Sequence, residues 1–89
     1  MSGTSRVVVY STTYCGYCRA AEDLLEREGI EFETVDVTND PRTRADLVKR
    51  AGGRRTVPVI FIDGKAIGGY EELAAMFRAG QLKHIAAAA

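Results

Sequence analysis

Two stretches, Arg6–Ser11 (RVVVYS) and Val57–Ile62 (VPVIFI), place apolar side chains at consecutive positions rather than alternate ones. Each is too short for a helix and rich in β-branched and aromatic residues, so each reads as a strand. A strand that is apolar on both sides needs cover on both faces of its sheet. Helices must therefore pack above and below, and the intervening sequence supplies them. Gly16 to about Glu28 carries Ala20, Ala21, Leu24 and Leu25 at helical spacing and stops at Gly29. Asp40-Pro41 opens a second helix through Ala45, Leu47, Val48 and Ala51, which ends at Gly52-Gly53. Glu71 to Ala79 forms a third through Leu73, Ala74, Met76 and Phe77, with Gly80 as its stop. A last turn runs from Gln81 into an alanine tail that frays.

Two weaker strands complete the pattern. Glu31–Val37 alternates, with Phe32, Val35 and Val37 inward. Lys65–Ile67 follows the tight-turn pair Asp63-Gly64 and breaks at Gly68-Gly69. The order is β-α-β-α-β-β-α. The first two strands flank a helix and run parallel with a right-handed crossover, and the last two form a hairpin. The expected fold is α/β: a four-stranded mixed sheet with helices on both faces. Tyr10, Phe32, Phe61 and Phe77 are expected in the core, and Asp36 is expected only to finish its strand.

The 89 residues fit one domain, with a core from about 6 to 84 and flexible ends at 1–5 and 86–89. Twelve basic and twelve acidic residues give zero net charge, which removes any global attraction to nucleic acid or an anionic membrane. The longest apolar run is six residues and contains Pro58, too short to span a bilayer. Met1–Arg6 lacks the apolar segment of a signal peptide, which points to the cytoplasm. Charge is uneven locally. Six acids lie between Glu22 and Glu33, and seven bases between Pro41 and Lys65, the latter beside a candidate anion site.

The two cysteines, Cys15 and Cys18, stand three positions apart. A disulfide between them closes almost no loop and adds little stability. A zinc site needs about four ligands, and His84 is the one histidine in the chain, so no intrachain metal site is expected. Redox chemistry is left. Cys15 falls where the first strand joins the first helix. There, unpaired N–H groups and the positive end of the dipole favour a thiolate. Cys18 lies one turn deeper. Cys15 is expected to attack and Cys18 to resolve.

Cys15-Gly16-Tyr17-Cys18 resembles the C-P-Y-C active site of glutaredoxins. Thr56-Val57-Pro58 resembles that family's T-V-P segment, and Gly68-Gly69-Tyr70-Glu71-Glu72-Leu73 its G-G-x-D-D-L segment. The likeness runs from about Val7 to His84 and is greatest to small bacterial dithiol members. It implies a thioredoxin-like fold and a glutathione site. Pro58 would be cis, so that the Val57 backbone pairs with the cysteinyl unit beside Thr56. Gly69 would let the backbone approach, with the N–H groups of Tyr70 and Glu71 donating to the γ-glutamyl carboxylate. Glu71 would meet the ligand's amino group, Arg55 its glycine carboxylate, and Tyr17 would line the groove.

The resemblance further implies a monomeric, glutathione-dependent thiol–disulfide oxidoreductase acting on protein disulfides and protein–glutathione mixed disulfides. A thioredoxin-like carrier fed by another reductant is the alternative. Three positions depart from the pattern: Thr12 stands where many relatives carry Lys, Tyr70 where the residue is usually small, and Gly16 where it is usually Pro. Non-Pro residues at the last position are associated in the family with [2Fe-2S]-bridged dimers, in which Cys15 and a bound glutathione of each subunit would be ligands.

Overall fold

The computed structural model describes residues 6–13, 15–53 and 56–83. The chain runs β1 (Val7–Ser11), α1 (Gly16–Arg27), β2 (Phe32–Asp36), α2 (Pro41–Arg50), β3 (Val59–Ile62), β4 (Lys65–Gly68) and α3 (Tyr70–Arg78). The sheet order is β2-β1-β3-β4. β1 lies parallel to β2, with Val7 opposite Phe32, and antiparallel to β3, with Val7 opposite Ile62. The two strands that are apolar on both sides are thus the two central ones. The more polar strands take the edges, where one side meets water.

Alternation along β1 sorts its side chains between two cores. Val7 and Val9 join Ile60, Ile62, Ala21, Leu24, Leu25, Leu73 and Leu82 beneath α1 and α3. Val8 and Tyr10 turn to the other face and pack with Val59, Phe61, Leu47 and Ala51 beneath α2. The Arg50 guanidinium covers this smaller core, 4.6 Å from the Phe61 ring centre, and donates to the Tyr10 hydroxyl at 3.3 Å. Asp63 (φ 53°) and Gly64 (φ 83°) make the two-residue turn between β3 and β4.

Four expectations need correction. β3 begins at Val59, not Val57. The Val57-Pro58 peptide is cis and proline has no N–H to give the ladder, so pairing with β1 ends at Tyr10 opposite Val59. α3 begins at Tyr70, because the Glu72 carboxylate accepts the Gly69 N–H at 2.7 Å and makes Gly69 the cap. Phe77 is 43% exposed rather than core. α3 ends at Arg78, before the expected Ala79, and Leu82, 1% exposed after the Gly80 turn, enters the core instead. Ala45 is exposed, and Leu47 is the buried residue of α2. The alanine tail and His84 lie outside the described residues. Among those residues no helix is long and apolar enough to cross a membrane.

Candidate active site

β1 ends at Ser11, and a short loop carries the chain to Cys15, the N-cap of α1. Cys15 has extended backbone angles (φ −104°, ψ 112°), and its sulfur accepts the Cys18 N–H at 3.1 Å. A cysteine sulfur here replaces the usual capping oxygen. It therefore receives a helix-terminal N–H at the positive end of the helix dipole. The Cys15 thiol also lies 3.5 Å from the Val57 carbonyl, to which it can donate. Cys15 is partly exposed, and both cysteines are free thiols.

Cys18, one turn further along α1, is 3% exposed. Burial pushes its thiol up to about 12, with the hydrogen bond to Cys15 adding to the rise. Cys18 is therefore a neutral thiol throughout the physiological range. The sequence spacing predicts one accessible sulfur and one sheltered sulfur, and the structure has that asymmetry.

The Val57-Pro58 peptide is cis, and the segment before β3 lies against the start of α1. A groove of about 350 Å³ opens there, lined by Tyr17, Thr56, Val57, Pro58, Tyr70 and Glu71. The Tyr17 and Tyr70 ring centres are 6.1 Å apart. All six are residues expected at a ligand site, drawn from three separate parts of the chain. Gly69 is buried behind them as the α3 cap. Gly68 has φ +123°, and a Cβ there would lie 2.7 Å from the Glu72 side chain, so only glycine fits. Arg55 lies outside the described residues. Thr12 is 5% exposed and its buried hydroxyl has no hydrogen-bond partner among the described residues, so it does not stand in for a ligand-facing lysine.

The structure adds residues to those expected at the site. Thr13 and Arg19 join Cys15 and Gly16 around a second cleft of about 280 Å³. Glu72 is signalled by its place at the third position of α3, the acidic half of a capping box. Nothing in the local sequence marks Thr13, whereas Arg19, next to Cys18, is a cation that the sequence already places near the Cys15 sulfur.

A model of the glutaredoxin family matches residues 7–67. The chain belongs to the glutaredoxin family. It is 42% identical over 76 residues to a glutaredoxin of Pseudomonas aeruginosa, covering 85% of this chain and 89% of that one. It is 37% identical over 78 residues to glutaredoxin 3 of Escherichia coli, covering 88% and 93%. A buckwheat glutaredoxin, solved as its glutathione complex, superposes with a TM-score of 0.85 at 34% identity, covering 93% of this chain and 77% of that one. The thioredoxin-like fold expected from the sequence is thus the fold found. The chain is a glutathione-dependent thiol–disulfide oxidoreductase of the dithiol type. The alternative of a carrier fed by a different reductant gives way to this match.

Proposed function

We propose that Cys15 is the nucleophile, that Cys18 resolves, and that glutathione occupies the groove between Tyr17, Val57 and Tyr70. On a protein–glutathione mixed disulfide, the Cys15 thiolate attacks the glutathione sulfur. A Cys15–glutathione disulfide forms, the substrate disulfide breaks, and the departing protein sulfur keeps the electron pair and takes a proton. A second glutathione thiolate then attacks this intermediate, releasing glutathione disulfide and the Cys15 thiolate. On a protein disulfide, Cys15 forms the mixed disulfide with the protein. Cys18 loses its proton and displaces the protein thiol, leaving a Cys15–Cys18 disulfide for glutathione to reduce.

The observation that carries this reading is the pairing of a partly exposed, N–H-capped sulfur with a sheltered thiol beside the groove. Within the groove, the Val57 backbone pairs with the cysteinyl unit. The N–H groups of Tyr70 and Glu71, at the start of α3, suit the γ-glutamyl carboxylate. Glu71 takes the ligand's amino group, and the family likeness gives the glycine carboxylate to Arg55, which lies outside the described residues. Substrates are oxidised and glutathionylated proteins, and the enzyme works as a monomer in the reducing cytoplasm.

Turnover of a glutathionylated protein by glutathione tests the assignment. Cys15→Ser should abolish it, and Cys18→Ser should retain it while losing the reduction of protein disulfides. Equal loss in both variants contradicts the roles.

A [2Fe-2S]-bridged dimer is a second reading, favoured by the partly exposed Cys15 and by Gly16 standing where the family usually has Pro. Among the described residues no group of three or more His, Cys, Asp or Glu converges on one point. Cys15 and a glutathione thiol from each of two chains would have to supply the ligands. Anaerobic reconstitution with glutathione that yields neither a visible chromophore nor a dimer removes this reading.

A further inference from the structure

The loop that delivers Cys15 is tied to a second loop, the one between β2 and α2. The Thr13 N–H donates to the Thr38 hydroxyl oxygen at 2.9 Å, across 25 residues of sequence. The Thr38 hydroxyl donates in turn to Asp36 Oδ1 at 2.6 Å, and the Thr38 N–H reaches the same carboxylate oxygen at 2.9 Å. A hydroxyl has one proton to give. Asp36 takes it, which leaves the oxygen lone pairs facing Thr13 as acceptors. The polarity of the chain from Asp36 to Thr13 is therefore fixed. The Thr38 hydroxyl, then its N–H, hold the Asp36 carboxyl below its ordinary range, so the acceptor stays ionised at working pH.

The neighbouring backbone supports the same junction. The Val37 N–H donates to the Ser11 carbonyl at 2.9 Å, extending the β1–β2 ladder by one bond. Between Ser11 and the helix, the Cys15 N–H reaches the Thr12 carbonyl only at 3.4 Å, a long bond. Among the described residues, the Thr13–Thr38 bond is thus the short tie in the stretch that sets where the Cys15 sulfur stands. Thr13 lines the cleft with Cys15, Gly16 and Arg19, and no residue of the Asp36–Thr38–Thr13 chain lines the glutathione groove.

We infer that Thr38, held by Asp36, is a positioning residue for the nucleophile: it fixes the loop that presents Cys15 and acts on the rate of sulfur attack without acting on the glutathione groove. Attack on a disulfide needs three sulfurs in line, and small displacements of a reacting group cost large factors in rate. The role rests on Cys15 being the attacking sulfur, as proposed above.

The test uses Thr38→Val, which keeps the shape and removes the hydroxyl, and Thr38→Ser, which keeps the hydroxyl. Single-turnover transfer of glutathione from a glutathionylated peptide is followed against peptide concentration. Thr38→Val should lower the limiting rate about tenfold with the half-saturating concentration unchanged. Thr38→Ser should stay within about twofold of the native rate, as expected if the hydroxyl is what matters. Alkylation of Cys15 by iodoacetamide, which needs no groove, reports whether the sulfur keeps the Cys18 N–H that caps it, and should fall in the same direction. That arm separates the two readings, since a native protein that transfers no glutathione contradicts the function proposed while alkylation still reports the brace. Asp36→Ala supplies a second variant should Thr38→Val not fold, with a smaller loss, about threefold, in the same direction. Native rates in Thr38→Val or, if that variant does not fold, in Asp36→Ala, or a Thr38→Ser loss as large as that of Val, overturn the inference.

Discussion

The Cys15→Ser variant isolates the sheltered thiol and allows its reactivity to be calculated in advance. Burial is the largest cause of the rise of Cys18 from an ordinary value of 9.0 to about 12, and burial survives the substitution. At pH 7.5 a thiol that ionises near 12 is a thiolate in roughly one molecule in thirty thousand, about a thousandfold less than an ordinary cysteine. A more basic thiolate is a better nucleophile, and a Brønsted slope of about 0.5 returns roughly thirtyfold of that loss. Cys15→Ser also removes the part of the rise that Cys15 itself causes, so alkylation is expected to be slower than that of a cysteine-containing peptide by up to about thirtyfold, before any steric hindrance is added. Cys18 is 3% exposed, so hindrance lowers the rate further. The assay is intact-mass spectrometry of Cys15→Ser during reaction with iodoacetamide, with the peptide in the same tube. Modification at the peptide's rate would refute the claim that α1 shelters its second sulfur. It would also remove the reason for assigning attack to one cysteine and resolution to the other.

Other consequences follow from the same geometry. The Cys18 thiol should make stability fall with alkaline pH: between about 9 and 12 the unfolded chain has lost this proton and the folded chain keeps it. Its contribution is complete below pH 9, so urea midpoints should decline above that point less steeply in Cys18→Ala than in the native protein. Gly68→Ala forces a side chain into φ +123° and against Glu72, and displaces the carboxylate that caps Gly69. A loss of about 1–3 kcal/mol is expected, together with weaker glutathione binding by calorimetry as the start of α3 shifts. Leu25→Ala empties a fully buried position in the larger core. It should cost about 2–5 kcal/mol by chemical denaturation, with the site geometry retained.

The fold was legible because its strongest signals were local and concordant. Consecutive apolar residues in β1 and β3 demanded cover on two faces, and Asp40-Pro41, Gly29 and Gly52 marked helix ends by their own backbone chemistry. What failed did so where tertiary packing overrides periodicity. Phe77 sits at helical spacing on an apolar face, yet Leu82 fills the core beyond it. Val57 belongs by composition to a strand, but Pro58 has no N–H to extend the ladder, and the Val57 carbonyl lies against the Cys15 thiol instead.

The groove was legible for a different reason. Thr56-Val57-Pro58 and Gly69-Tyr70-Glu71 are contiguous motifs, so the family pattern marks them along the chain itself. Thr13, Thr38 and Asp36 carry no such mark. They meet only because β1 and β2 lie side by side, and no local pattern encodes that meeting.

The most direct measurement is the site of the covalent adduct. Cys18→Ser is mixed with a glutathionylated protein and quenched within one turnover by acid. It is then mapped by fragmentation mass spectrometry. A single glutathione on Cys15, with the substrate released as free thiol, is the result expected. An adduct at any other residue, or release of the substrate with Cys15 never carrying glutathione, contradicts the account.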